Sequence, residues 1–131
     1  MNDVSTSVIR VRYAETDQMG VAYHGNYFAW FEVGRTDLLR SKGVTYKDLE
    51  AEGLHLPVIE AEARFVRPAL YDDVLEIRTE VAGLSGARVT FAYEVRRAGE
   101  SVLATGKTMH AAVDDRGRAR RLPEPLRRLL A

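Results

Sequence analysis

The sequence predicts an α+β fold in which an antiparallel sheet of about five strands carries one long helix across its face. Three observations lead there. Residues 7–13 alternate side chains with the two-residue period of a half-buried strand. The segment after Gly25 repeats apolar positions at helical spacing. From Leu56 onward the pattern returns to strands broken by short turns.

In residues 7–13, SVIRVRY, the side chains of Ile9, Val11 and Tyr13 fall on one face and Val8, Arg10 and Arg12 on the other. The helix opens at Gly25 or Asn26. Tyr27, Phe31, Gly34 and Leu38 form its apolar stripe, Phe28, Trp30 and Leu39 widen it, and Glu32, Arg35, Asp37 and Arg40 make the polar side. Gly34, within the stripe, lets a strand approach closely, and Gly43 stands where a left-handed residue closes a helix. Thr45 followed by Asp48 caps a short connecting helix that ends at Gly53.

Strands follow over 56–67 up to Pro68, 74–84 up to Ser85-Gly86, 88–97 up to Ala98-Gly99, and 101–113. Turns this short make the last three an antiparallel meander. Pro123 and Pro125 precede a last short helix at about 126–130. No repeat or linker interrupts the order, so 1–131 reads as one domain. One helix covers only one helix-width of such a sheet. Pairing with a second copy is therefore expected, giving a homo-oligomer, a dimer or a dimer of dimers.

Composition excludes several classes of function. Lys and Arg together equal Asp and Glu at 19 each, so no global field recruits nucleic acid or an anionic membrane. The absence of cysteine removes thiol nucleophiles, disulfides and thiolate metal sites, and fits a reducing compartment. The N-terminal MNDVSTSVIR does not read as a secretion signal, and no apolar run approaches the ~18 residues of a membrane span. Cytoplasmic placement is the expectation. His55 and His110 stand apart with no HExxH or Cys partner, so no metal site is expected, and no cofactor is required. The sequence also lacks a G-x-S-x-G nucleophile elbow and a phosphate-cradling glycine loop. The arginines between Arg116 and Arg128 read as a solvated tail.

The chemistry concentrates between Tyr13 and Arg35. A polar turn carrying Asp17 leads, through Tyr23, His24 and Gly25, into an aromatic-rich helix. A carboxylate thus lies close in sequence to backbone N–H groups at the positive end of a helix, where developing negative charge is favoured. Each residue also has a plain structural reading. Asp17 reads as a turn residue bonding nearby amides, His24 and Tyr23 as packed side chains, and Asn26 as the helix cap that orients the loop. Glu15 is expected to face solvent or pair with an Arg. Tyr27, Phe28, Trp30 and Phe31 read as core or pocket wall.

The string R-Y-x-E-T-D-x-M-G-V-x-Y-H-x-N-Y-F-x-W-F-E from Arg12 to Glu32, with F-x-R-P-A-x-Y-D-D-x-L-E-I from Phe65 to Ile77, resembles the 4-hydroxybenzoyl-CoA thioesterase family of hot-dog acyl-CoA thioesterases. The resemblance extends to the element order of almost the whole chain. It implies a sheet wrapped around the long helix, subunits joined edge to edge, and active sites at the dimer interface. It implies Asp17 as general base or nucleophile, with His24 and Tyr23 as further catalytic residues and Gly25, Asn26 and Tyr27 as substrate-binding residues at the helix start, where backbone N–H groups and His24 polarise the thioester carbonyl. Another branch of the family places a Glu on the helix; Glu32 is so placed, but the intact turn around Asp17 favours the Asp branch.

The expected activity is hydrolysis of an acyl-CoA to acid and free CoA, with an acyl carrier protein ester as a variant substrate. Two alternatives stay open: a non-catalytic acyl-CoA binding module and a hot-dog hydratase or dehydratase. Arg64, Arg67, Arg88 and Lys107 are candidates to meet the CoA phosphates, by charge and strand location.

Overall fold

The computed structural model describes residues 3–131; the first two residues of the N-terminal stretch read above lie outside them. The chain runs through β1 (Ser5–Arg10), a single 3-10 turn (Tyr13–Glu15), α1 (Asn26–Ser41), α2 (Tyr46–Ala51), β2 (Val58–Phe65), β3 (Val74–Leu84), β4 (Arg88–Arg97), β5 (Val102–Ala111) and α3 (Glu124–Leu130). The strands form one sheet in the order β1-β3-β4-β5-β2, antiparallel throughout. The predicted meander is β3-β4-β5, with β1 and β2 at the two edges.

α1 lies across one face and touches β1, β2, β3 and β4, so the sheet wraps it. Tyr27, Trp30, Phe31, Gly34, Leu38 and Leu39 are its buried positions. They meet the inward-facing side chains of the sheet, among them Leu75, Ile77, Phe91, Tyr93 and Leu103. Phe31 stacks flat on Tyr93, centroids 4.3 Å apart. Two glycines permit this approach. A Cβ at Gly34 would strike Thr79 Oγ1 and lie 3.0 Å from Ile77 Cγ2, and one at Gly106 would strike the Phe31 ring and lie 2.8 Å from the Glu62 carbonyl oxygen.

The second helix starts as expected, with Thr45 Oγ1 accepting from the Asp48 amide at 3.1 Å. Three expectations need correction. β1 stops at Arg10 because the backbone of Val11 pairs instead with Asp72 and Asp73, and Tyr13 leaves the inner face to stand 77% exposed. Phe28 is 38% exposed, so the buried stripe of α1 is narrower than its apolar sequence. The C-terminal stretch is not simply a solvated tail: Leu122, Leu126 and Leu130 are buried, and the Arg127 guanidinium donates to the Ser85 carbonyl.

His110, isolated in the sequence, belongs to a buried chain of hydrogen bonds. Its Nδ1 lies 2.9 Å from the Leu56 carbonyl oxygen, which can only accept, so Nδ1 carries the proton. Its Nε2 then accepts from Thr108 Oγ1 at 2.8 Å, and the Tyr93 hydroxyl donates to Thr108 Oγ1 at 2.5 Å. Burial pushes the His110 pKa down, outweighing the upward pull of the Leu56 carbonyl.

A depressed folded-state pKa stabilises the fold in full above the unfolded histidine value, near 6.5, and that contribution is lost as the pH falls through the folded-state value. The unfolded chain takes up the proton first, which is the sign of the effect. The urea midpoint should therefore fall between about pH 7.5 and about pH 5.5. His110→Gln should flatten that dependence; equal slopes for the two proteins would contradict the assignment.

Candidate active site at the start of α1

After β1 the chain makes its 3-10 turn and then a tight loop closed by a bridge between Thr16 and Ala22. The Asp17 amide donates to the Val21 carbonyl at 2.9 Å, and the Gly20 amide to the Asp17 carbonyl at 3.0 Å. Gly20 adopts φ +80°, which the turn needs and a side chain resists. One Asp17 oxygen, Oδ1, accepts from the Met19 amide at 2.8 Å. The other, Oδ2, has no hydrogen-bond partner among the described residues. The turn reading of Asp17 is thus correct for one oxygen and leaves the second free.

The Ala22 amide donates to the Ala69 carbonyl at 2.8 Å, which sets the loop beside the segment following β2. Between them opens a cleft of about 330 Å³ lined by Asp17, His24, Tyr27, Phe65 and Arg67, among others. Tyr23, Gly25 and Asn26 do not line it. Tyr23 is half exposed and packs its ring on His24 at 4.3 Å, and Gly25 leaves room for that ring, since a Cβ there would lie 2.9 Å from Tyr23 Cε2. Tyr27 is buried, with its ring against Trp30 and Phe65 and its hydroxyl accepting from the Ala69 amide at 3.4 Å. It is both core and cleft wall.

The amides at the helix start divide into two groups. Asn26 donates to the Tyr23 carbonyl at 3.0 Å and Tyr27 to the His24 carbonyl at 3.2 Å. The amides of His24 and Gly25 have no acceptor among the described residues, and of the two residues His24 lines the cleft while Gly25 stands next to it in the chain. Asn26 is not the cap. Gly25 holds that position without a side-chain bond, and Asn26 is the first helical residue, its Nδ2 reaching back 2.7 Å to the Glu15 carbonyl.

Glu15 pairs with an Arg, as one of its two expected placements had it, but it is buried rather than facing solvent. It is 8% exposed, and its carboxylate accepts from the Arg12 amide at 2.8 Å and the Trp30 indole at 3.0 Å, with Arg12 Nε 3.5 Å away. Burial works against its charge, but the Arg12 amide, the Trp30 indole and the Arg12 guanidinium outweigh burial and hold its pKa below the usual carboxylate value. The one sequence signal was its place two residues before Asp17; its tie to Trp30 spans 15 positions and appears only in three dimensions.

The other candidates separate cleanly. Of the four cationic residues, only Arg67 lines the Asp17 cleft; Arg64 and Lys107 line another of about 360 Å³. Glu32 faces a larger cavity of about 650 Å³ with Arg35, Tyr46 and His55, which carries neither Asp17 nor His24. His55 Nε2 lies 2.8 Å from Asp115 Oδ1. Among the described residues no three side chains gather as metal ligands, and no helix is long and apolar enough to cross a membrane.

An antiparallel sheet wrapped around one central helix is the hot-dog arrangement. Residues 11–130 match the thioesterase-like superfamily, and the chain belongs to it. The acyl-CoA thioester hydrolase YbgC of Escherichia coli O6:H1 is 33% identical over 106 residues, covering 81% of this chain and 79% of that protein. Among solved structures, the hypothetical protein TT1821 from Thermus thermophilus is 43% identical with a TM-score of 0.91, 96% of each chain being covered. The DHNA-CoA thioesterase from Staphylococcus aureus is 35% identical with a TM-score of 0.88, over 91% of this chain and 80% of that one.

Proposed function

We propose that the protein is an acyl-CoA thioesterase, hydrolysing the thioester of an acyl-CoA to the free acid and CoA. The observation that carries this reading is that Asp17, with one carboxylate oxygen unpaired, and His24, whose backbone amide has no acceptor among the described residues, line one cleft. Family membership and the activity named for the relatives support it. In the general-base route Asp17 takes a proton from water, whose oxygen attacks the thioester carbon. The carbonyl oxygen becomes negative and is held by the two amides beside the positive end of α1. The C–S bond then breaks and the sulfur receives the proton. In the nucleophilic route an Asp17 oxygen attacks the thioester carbon, the C–S bond breaks to release the CoA thiolate and leave an anhydride on Asp17, and water hydrolyses the anhydride to free the acid and restore the carboxylate. His24 lies beside the carbonyl position and adds to its polarisation.

A homodimer is the proposed unit, and a dimer of dimers its larger form. β2 sits at an edge and is exposed along nearly all its length, with Val58, Ile59 and Phe65 in water. A two-fold axis normal to the sheet would pair β2 antiparallel with its copy. That brings the Phe65 wall of the cleft to the interface. The opposite face of β3 and β4 carries Glu76, Arg78, Glu94 and Arg96 in ion pairs and needs no apolar cover. We place the enzyme in the cytoplasm, where CoA esters are made and a chain without cysteine is at no disadvantage. Sedimentation equilibrium at micromolar concentration should report a dimer or tetramer; a 14.7 kDa monomer would contradict the interface.

Asp17→Asn preserves the shape of the side chain and the acceptor for Met19, yet can neither take a proton nor attack. Release of free thiol from a panel of short aliphatic to aromatic acyl-CoAs should fall by roughly 10² to 10⁴ in kcat, with the circular dichroism spectrum unchanged. His24→Ala leaves the backbone donors in place and should cost on the order of 10- to 100-fold in the same assay. Near-wild-type turnover by Asp17→Asn would make that carboxylate structural and refute the mechanism. Hydration of an enoyl-CoA without thiol release would reassign the protein as a hydratase.

A further inference from the structure

The hydrogen bonds that tie the turn bearing Asp17 to α1 run through one residue that the mechanism leaves unused. The carboxylate of Glu15 accepts from the Trp30 indole, one turn into the helix, and from the Arg12 amide at the start of the 3-10 turn. The carbonyl of Glu15 accepts from the Asn26 side chain and from the Tyr23 amide, at 2.7 and 2.8 Å. Both polar ends of a single residue therefore grip the same stretch of helix start that supplies the His24 and Gly25 amides. Asp17 follows only two residues later.

We infer that Glu15 is a positioning residue for the reaction, clamping the Asp17 turn to the first turn of α1 through Trp30 and Asn26 so that carboxylate and amides face one carbonyl. This rests on the thioesterase reading above and adds to it a residue that touches no substrate. The chemistry of the clamp is specific to a carboxylate. Two N–H donors approach two oxygens, and both oxygens must accept. A glutamine offers one acceptor and one NH2, so one of the two donors would face another donor across a buried contact. An aspartate falls short by a methylene. Misplacement of a reacting group by about 1 Å costs on the order of 10²-fold in rate, so slackening here reaches catalysis without altering the cleft's own side chains.

The test compares Glu15→Gln, Trp30→Phe and Asn26→Ala in thiol-release assays well below each variant's unfolding temperature. Glu15→Gln should lower kcat on the order of 10- to 100-fold, while KM changes by less than about threefold. Trp30→Phe, which keeps the Glu15 charge and removes one donor, should lower kcat by a smaller factor, about 3- to 10-fold, and keeps the inference testable if Glu15→Gln does not fold. The decisive readout is the cycle with Asp17→Asn. Because Glu15 acts through Asp17, combining any of the three clamp variants with Asp17→Asn should cost no further turnover.

Losses that multiply in the double variant, or clamp variants with wild-type kcat and a lowered unfolding midpoint, would show a purely structural role and overturn the inference. An active Asp17→Asn single variant would instead remove the thioesterase mechanism itself, so the two failures are distinct. Trp30 is the only tryptophan, so its emission gives a check independent of activity. Glu15→Gln should shift that emission in the resting enzyme, whereas Asp17→Asn should leave it unchanged.

Discussion

The separation between α1 and the sheet is fixed by two glycines, and the site inherits its geometry from it. Gly34 meets Thr79 and Ile77, Gly106 meets Phe31, and with no Cβ at either position the Phe31 ring lies flat on Tyr93. Cores are packed closely enough that a single added carbon at such a contact forces a shift. Once α1 is seated, its start projects at one end of the sheet, and the loop from β1 must meet it there. The Ala22–Ala69 hydrogen bond and the Tyr27 hydroxyl then bring the segment after β2 to the same place. The cleft is the gap among these three pieces of chain.

Electrostatics divide the work within that gap. Glu15 is buried and fully engaged, its carboxylate bonded to the Arg12 amide and the Trp30 indole. Asp17 is left with one oxygen free, in a cleft that His24 also lines. A catalytic carboxylate satisfied on both oxygens would be a poor base, and an unsatisfied one in a mobile loop would be poorly aimed. On the mechanism proposed, the two acids two residues apart resolve that conflict by taking separate roles.

Much of this was legible in the sequence because it is local or periodic. The two-residue alternation and short turns gave β3, β4 and β5 nearly to the residue, the stripe from Tyr27 to Leu38 gave α1, and the Thr45-Asp48 pair gave the start of α2. Asp17 and His24 are linked in the sequence because only six residues separate them. What escaped depends on pairs distant in the chain. The Glu15–Trp30 bond, the donor chain from Tyr93 through Thr108 and His110 to Leu56, and the burial of Leu122, Leu126 and Leu130 all join segments whose proximity only the assembled sheet creates. Asn26 was misread as a cap because Asn is common there, whereas its amide serves a more distant acceptor, the Glu15 carbonyl.

The claim that the Asp17 turn and the start of α1 form one acyl-transfer site is tested most directly by a crystal structure with an acyl-CoA analogue in which a methylene replaces the thioester sulfur. The account predicts the analogue's carbonyl oxygen at about 3 Å from the His24 or Gly25 amide nitrogen, with the Asp17 carboxylate facing the carbonyl carbon. A carbonyl bound in the larger cavity beside Arg35 and Tyr46, out of reach of Asp17 and of both amides, would contradict it.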